Sequence, residues 1–308
     1  MHKFELRTDM EQKEQTKRKR RLGDRSDGRL VRTLPPMAQV SPYIMPTRAA
    51  ASNYFKDAIE ITEIEKYIRK KRKEGLTGFG IMHVIIAAYV RAVSQRPAIN
   101  RFLSGQHVYA RDEHIEVSLV VKKEMTNEAP DTCVKAFLSA RDTANEVYEK
   151  MNALVSANKG AQDLDSGFDD LAKFISSIPG VFLKLVVWLL NLLDYFGLLP
   201  RKLTKLSPFH ASFFITSMGS LGIPPIYHHL YNFGNIPIFV AFGAKRKQYE
   251  LRKDGSVAER KYVDYTVVTD ERICDGFYYA SAFKLMRSYF KNPYILDEPV
   301  ESIVPDID

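Results

Sequence analysis

Apolar and polar positions alternate in two different rhythms along this chain. Val40 to Met45 and Ala51 to Ile61 are rich in aromatic and β-branched residues and predict short extended stretches. Thr62-Glu63-Ile64-Glu65 has the form of a capping box at a helix start, and Ile61, Ile64, Tyr67 and Ile68 follow at helical spacing. The basic run Arg69 to Lys73 suits that helix's C-terminal end, and Gly75 and Gly78 break it. Ile81 to Val93 is almost continuously apolar, which predicts a buried helix ending before Pro97. His107–Tyr109 and Ile115–Val121 read as a strand pair about the polar turn Arg111-Asp112-Glu113, with a further strand over Cys133–Leu138. Arg141 to Ala157 is amphipathic with Val147, Met151, Leu154 and Val155 on one side. Phe213–Ser217, Ile238–Phe242 and Val263–Thr269 read as strands, and Phe277–Phe290 as a helix stopped by Asn292-Pro293. This mixture predicts an α/β or α+β layer, not a bundle or a pure sandwich.

One segment fits neither rhythm. Between Pro179 and Pro200 the chain is nearly all apolar, about the ~20 residues a bilayer span requires. Lys184, Trp188, Asn191 and Tyr195 nevertheless recur as one polar or amphipathic stripe, with Asp194 beside it. A charge near the membrane centre costs roughly 2.5–3.5 kcal/mol, which counts against a span. Packing on the protein or another subunit is the first expectation, membrane-surface contact through 181–199 the second and a span the third.

Length and composition narrow the class. A chain of 308 residues, 45% hydrophobic and 27% charged, excludes collagen-like, disordered and disulfide-scaffold proteins. Its net charge of +8 arises partly from Lys17-Arg18-Lys19-Arg20-Arg21. That run could meet nucleic acid or anionic lipid; a solvated basic tail over 1–36 is the simpler expectation, with no nucleic-acid partner. Cys133 and Cys274 match no metal spacing and, with no signal-type start, point to a cytoplasmic protein. Phosphate-loop, His-Glu-x-x-His, Gly-x-Ser-x-Gly and Cys-x-x-Cys patterns are absent. His228-His229 are adjacent and so face different ways, which favours a structural pair over a metal site.

Two segments carry chemistry. Phe213 to Gly222 is a hydroxyl-bearing strand leading to a turn of small residues, and Asp270-Glu271-Arg272-Ile273-Cys274-Asp275-Gly276 leaves a β-branched run to open a helix. The second resembles the Asp-His-Arg-x-x-Asp-Gly signature of the acyltransferase catalytic domain of 2-oxoacid dehydrogenase complexes, which shares the chloramphenicol acetyltransferase fold. Thr216-Ser217-Met218-Gly219 resembles that family's Ser-Asn-Leu-Gly turn, and Arg96 to Phe102, Asn235-Ile236-Pro237 and Phe242-Gly243 fall in the family's order.

The resemblance spans roughly residues 30–295 and implies a mixed sheet flanked by helices and a homotrimer with active sites between subunits. It further implies a catalytic domain over 37–295 with a helical insertion near 163–205, a C-terminal tail over 296–308, and coenzyme A or acyl-coenzyme A as substrate. No lipoyl-type Asp-Lys-Ala motif occurs. Carried over residue by residue, Glu271 stands at the catalytic histidine, Thr216 at the oxyanion donor and Asp275 at the orienting aspartate, with Arg48 its candidate partner. Lys245-Arg246-Lys247 could meet coenzyme A phosphates or form a solvated loop. The departure is Glu271: from reference values of ~8.5 for a thiol, ~6.5 for His and ~4.3 for Glu, the exchange adds about 3 kcal/mol to thiol deprotonation unless the site compensates. The resemblance thus leaves two expectations: a coenzyme A-dependent acyltransferase, or a catalytically degenerate relative serving as a binding or scaffold oligomer.

Overall fold

The computed structural model describes residues 20–122, 131–159 and 175–308. Its centre is a six-stranded mixed sheet of β2 (Ser52–Glu60), β5 (His114–Lys122), β6 (Asp131–Ser139), β7 (Phe213–Ser217), β8 (Ile238–Leu251) and β9 (Val257–Asp270). The strand order is β2-β9-β8-β7-β5-β6. Strand β7 runs parallel to both its neighbours and the other pairs are antiparallel. A short central strand of this kind is covered on both faces, and Phe213 to Thr216 are all buried. Phe213 and Ile215 join the main core, while Phe214 joins a smaller cluster with Phe239, Ile236 and Val268.

The main core lies between this sheet and the helices α2 (Thr62–Lys73), α3 (Ile81–Gln95), α4 (Ala144–Lys159) and α7 (Gly276–Lys291). As its apolar run predicts, α3 is buried from Val84 to Ser94. A small second sheet, β1 (Arg29–Leu30), β4 (His107–Ala110) and β3 (Arg101–Ser104), sits beside it in the order β1-β4-β3. The remaining helices are α1 (Pro36–Ile44), α5 (Gly180–Tyr195) and α6 (Arg201–Leu206).

Several expectations change. Val40–Met45 is not extended: Pro36 occupies the first turn of α1, where its fixed φ favours a helix and its missing N–H costs nothing. Thr62 does not cap α2 but lies inside it, its amide donating to Glu60 Oε1 at 3.0 Å. Strands β4 and β5 do not pair with each other; they enter different sheets, separated by a left-handed Asp112 (φ 51°). Residues 20–36 are not a flexible tail. Arg25, Asp27 and Arg29 are buried, and Arg21 pairs with Asp308 at 2.6 Å. Lys17 to Lys19 lie outside the described residues, as does the start of the 163–205 insertion. The C-terminal segment 296–308 is docked on the body, with a buried Arg101–Asp306 pair (Nε to Oδ2, 2.7 Å) and a hydrogen bond donated by Val304 N to Ser94 O at 2.8 Å.

Helix α5 is held at its C-terminal end. Arg25 reaches Asp194 Oδ1 at 2.6 Å and Asp27 Oδ1 at 2.9 Å, and Ser104 Oγ donates to Asp194 O at 3.1 Å. Gly105 (φ 55°) makes the close approach possible, since a Cβ there would lie 2.3 Å from Tyr195 O. Burial pushes the Asp194 carboxyl up, but His210 and Arg25 outweigh it and hold it at about 2. His210 Nε2 stands 3.5 Å from Oδ2 without a hydrogen bond, so the direct pairing belongs to Arg25.

Candidate active site

Strand β9 delivers Asp270 to a locked turn. Arg272 donates to Asp270 through Nε (2.8 Å) and a terminal nitrogen (2.7 Å), both side chains being buried, and also donates to Met45 O at 2.8 Å. Tyr279 OH donates to Asp270 O at 3.1 Å, closing the turn onto α7. Ile273 enters the core, and burial pushes the Cys274 thiol well up. Asp275 is the N-cap of α7, accepting from Tyr278 N at 2.8 Å. Each of these residues has a structural task. Glu271 between them is half-buried, its amide donating to Ala51 O at 3.0 Å and its Oε2 accepting from Asn53 Nδ2 at 2.8 Å. One carboxylate oxygen is thereby oriented, and the group keeps acceptor capacity for a proton.

Asn53 opens onto a cavity of about 560 Å³ whose charged lining is Lys56, Asp57, Lys284 and Arg287. Arg287 is paired with Asp57. Asn53 itself is exposed, so this end of the sheet stands open in a single chain.

Thr216 is buried near the end of β7, and its hydroxyl makes no hydrogen bond among the described residues. The turn after it packs tightly: Met218 N donates to Phe242 O at 2.8 Å, and a Cβ on Gly219 would lie 2.8 Å from Gly243 O. The two turns nevertheless sit at opposite ends of the sheet. Thr216 is level with Ala241 and, across the next pairing, with Thr266, while Glu271 lies beyond Asp270. With about 3.3 Å per residue and about 4.8 Å per strand step, Thr216 and Glu271 are about 19 Å apart in one chain. No single copy can place both on one reacting group.

No family model matches the chain, and neither does any curated protein. Solved structures do. A probable dihydrolipoamide acetyltransferase from Listeria monocytogenes is 13% identical, with a TM-score of 0.51 over 82% of this chain and 88% of that one. The Azotobacter vinelandii dihydrolipoamide acetyltransferase is 13% identical, with a TM-score of 0.50 over 85% and 93%. The truncated catalytic core of the 2-oxoacid dehydrogenase multienzyme complex from Thermoplasma acidophilum is 11% identical, with a TM-score of 0.50 over 85% and 98%. The fold is chloramphenicol acetyltransferase-like.

Within this acetyltransferase-like fold, two expected roles change and one holds. Arg48 does not pair with Asp275: it is buried and donates to Asn232 O (3.0 Å) and Leu103 O (2.8 Å), while Asp275 is exposed at its cap. Burial lowers Arg48 to about 10. Lys245-Arg246-Lys247 are not in a loop but in β8, and each is already paired: Lys245 with Glu65 (2.7 Å), Arg246 with Asp264 (2.9 Å) and Lys247 with Glu259 (3.1 Å). Such a set is a poor phosphate receptor. His228 stacks on Phe239 at 3.9 Å and His229 packs edge-on to Tyr231, a structural arrangement.

Asn53 was not visible as a site residue. Nothing in Ser52-Asn53-Tyr54 marks it; only the pairing of Ser52 with Asp270 brings it beside Glu271. A buried polar network was missed as well. Asn235 accepts from Arg111 at 2.7 Å, and Lys135 and Arg201 converge on Glu116. Its one signal was Glu116 and Ser118 alternating with Ile115, Val117 and Leu119, a pattern that also describes a strand with one wet face.

Proposed function

We infer that the chain is an acyltransferase that moves an acyl group between a coenzyme A thioester and a thiol or hydroxyl, at a seam between copies of an oligomer. The observation that carries this reading is Glu271. Among Asp270 to Asp275 it is the carboxylate with no ion pair or cap to maintain, and it is oriented by Asn53. The Azotobacter enzyme is described through the roles of a serine, a histidine and an asparagine in its catalytic mechanism. This chain offers Thr216, Glu271 and Asp275 in their place, Asp275 acting through the start of α7 and not on the substrate.

The acceptor X–H gives its proton to Glu271, and X attacks the thioester carbonyl. Thr216 of a second copy donates a hydrogen bond to the tetrahedral oxyanion, an interaction worth roughly 2.7–4 kcal/mol in a preorganised site. Collapse breaks the C–S bond and expels the coenzyme A thiolate, which takes the proton back from Glu271. The second copy has two tasks. It brings the hydroxyl that one chain holds about 19 Å away, and it covers the open end beside Asn53, supplying the desolvation that strengthens a carboxyl as a base. Lys56 is paired with Asp264 and Arg287 with Asp57, which leaves Lys284 as the cation of the adjoining cavity with no ion pair among the described residues, a contact for a phosphorylated substrate. A homotrimer follows from the resemblance as the oligomer that closes such seams.

The test is acyl transfer with several acyl-coenzyme A donors, together with calorimetry against coenzyme A. Glu271→Gln is expected to abolish turnover while leaving the oligomer and coenzyme A binding intact. Undiminished turnover in that variant overturns the mechanism. No binding of coenzyme A or any acyl thioester assigns the chain instead to a scaffold role on the same fold.

A further inference from the structure

Among the described residues, helix α5 displays the longest run of exposed large apolar side chains. Val181, Phe182, Leu185, Trp188, Leu189 and Leu192 are all exposed, Phe182 at 61% and Trp188 at 57%, and Phe196 and Leu198 continue the patch past the helix end. The inner row, Leu183, Val186, Leu190 and Leu193, is half-buried at helical spacing, so the exposed row is a distinct outer face. Contiguous apolar patches of this kind mark interaction sites.

Charge identifies the occupant. From Gly180 to Leu206 the cations are Lys184, Arg201, Lys202 and Lys205, and the one carboxylate, Asp194, is buried and paired with Arg25. Lys184, Lys202 and Lys205 make no ion pair among the described residues, whereas Arg201 is paired with Glu116. A second copy docking the same face across a two-fold axis would set Lys184 against its own mate with no acid on the helix's outer face to answer it, and the seam of the oligomer inferred above is built at Glu271 and Thr216, not on this helix. An anionic lipid surface answers both features, taking the apolar row into its acyl boundary and Lys184 at its headgroups. At about 1.5 Å per residue, 16 residues make about 24 Å, short of the about 30 Å of a bilayer core. Among the described residues no helix is long and apolar enough to cross a membrane. The anchored C-terminal end and the half-buried inner row keep α5 against the body, outer face outward.

We propose that the outer face of α5 is a peripheral membrane-binding surface for anionic phospholipid, lying in the plane of the interface. Trp188 is the chain's single tryptophan and sits on that face, so it reports the event directly.

The test titrates the intact protein with phosphatidylcholine vesicles with and without phosphatidylglycerol, following Trp188 emission and its quenching by brominated lipid. A blue shift and quenching with the anionic vesicles, weakened by salt, are expected. Leu185→Glu removes the binding, and because Leu185 is 57% exposed the fold is expected to survive, which circular dichroism checks. Lys184→Gln weakens partition about fivefold while leaving the shift at saturation unchanged. Absence of a shift with every vesicle overturns the proposal. So does equal binding to both vesicle types, and so does a blue shift that grows with protein concentration without lipid, which assigns the face to a second copy.

Discussion

Replacing Asp194 by asparagine removes one charge from the anchor of α5 and keeps its shape. Asp194 Oδ1 lies 2.6 Å from Arg25, whose other carboxylate, Asp27, is 2.9 Å away. The fold holds the Asp194 carboxyl at about 2, against an ordinary 3.8, because His210 and Arg25 outweigh the cost of burial. At about 1.36 kcal/mol per unit, the ionised form contributes about 2 kcal/mol of stability. A carboxyl whose value is depressed in the fold stabilises fully above its unfolded value and loses that contribution as pH falls through its folded value. The gap between wild type and Asp194→Asn is therefore expected to be about 2 kcal/mol at pH 7 and about half that at pH 3. Urea unfolding followed by circular dichroism at both pH values measures it. An unchanged midpoint at pH 7, or a gap that widens on acidification, refutes the assignment of Asp194 as the ionised anchor.

Other consequences are equally open to measurement. His83 is held at about 4 by burial, and its Nδ1 accepts from Gly80 N at 3.1 Å, a bond a protonated ring cannot make. A histidine lowered from 6.5 stabilises fully above pH 6.5, so about 3 kcal/mol is expected to be lost as pH falls from 6.5 toward 4, and His83→Asn should flatten that part of a pH–stability curve. Asp306→Ala strands the buried Arg101 guanidinium and is expected to cost about 3–5 kcal/mol in chemical denaturation, a loss no loose tail would produce. Asn53→Leu frees the Glu271 carboxylate from its donor and should lower kcat for acyl transfer while leaving KM for the thioester near wild type.

Much of the fold was legible because its central elements announce themselves locally. Strand β7 begins and ends where its β-branched and aromatic run predicts, and α3 is buried from Val84 onward, over most of its apolar run. The order of motifs also survives: the turns after Thr216 and Phe242, far apart in sequence, meet in space. What failed depended on contacts that no local rhythm encodes. Residues 20–36 look like a solvated tail because Arg25 and Asp27 are charged, yet each cancels the other's burial cost only once Asp194 and Arg111 arrive from elsewhere. Lys245 to Lys247 read as a loop because three cations in a row suit solvent, and only the folded chain supplies their acids, Asp264 and Glu259 from the long hairpin and Glu65 from α2. Asp275 lies at the expected helix start, whereas Arg48 sits not in a strand but in the turn before Ala49–Ala51; the two do not meet, since the cap of α7 claims one and backbone carbonyls claim the other.

Co-expression of Glu271→Gln with Thr216→Val bears most directly on whether catalysis takes one residue from each of two copies. Each variant alone is expected to be inactive and to keep the wild-type oligomer. In random hybrids about a quarter of the seams pair an intact Glu271 with an intact Thr216, so acyl transfer should return at about a quarter of the wild-type rate. Hybrids as inactive as either parent, with mixed oligomers demonstrated and wild type active, would contradict a site shared between copies.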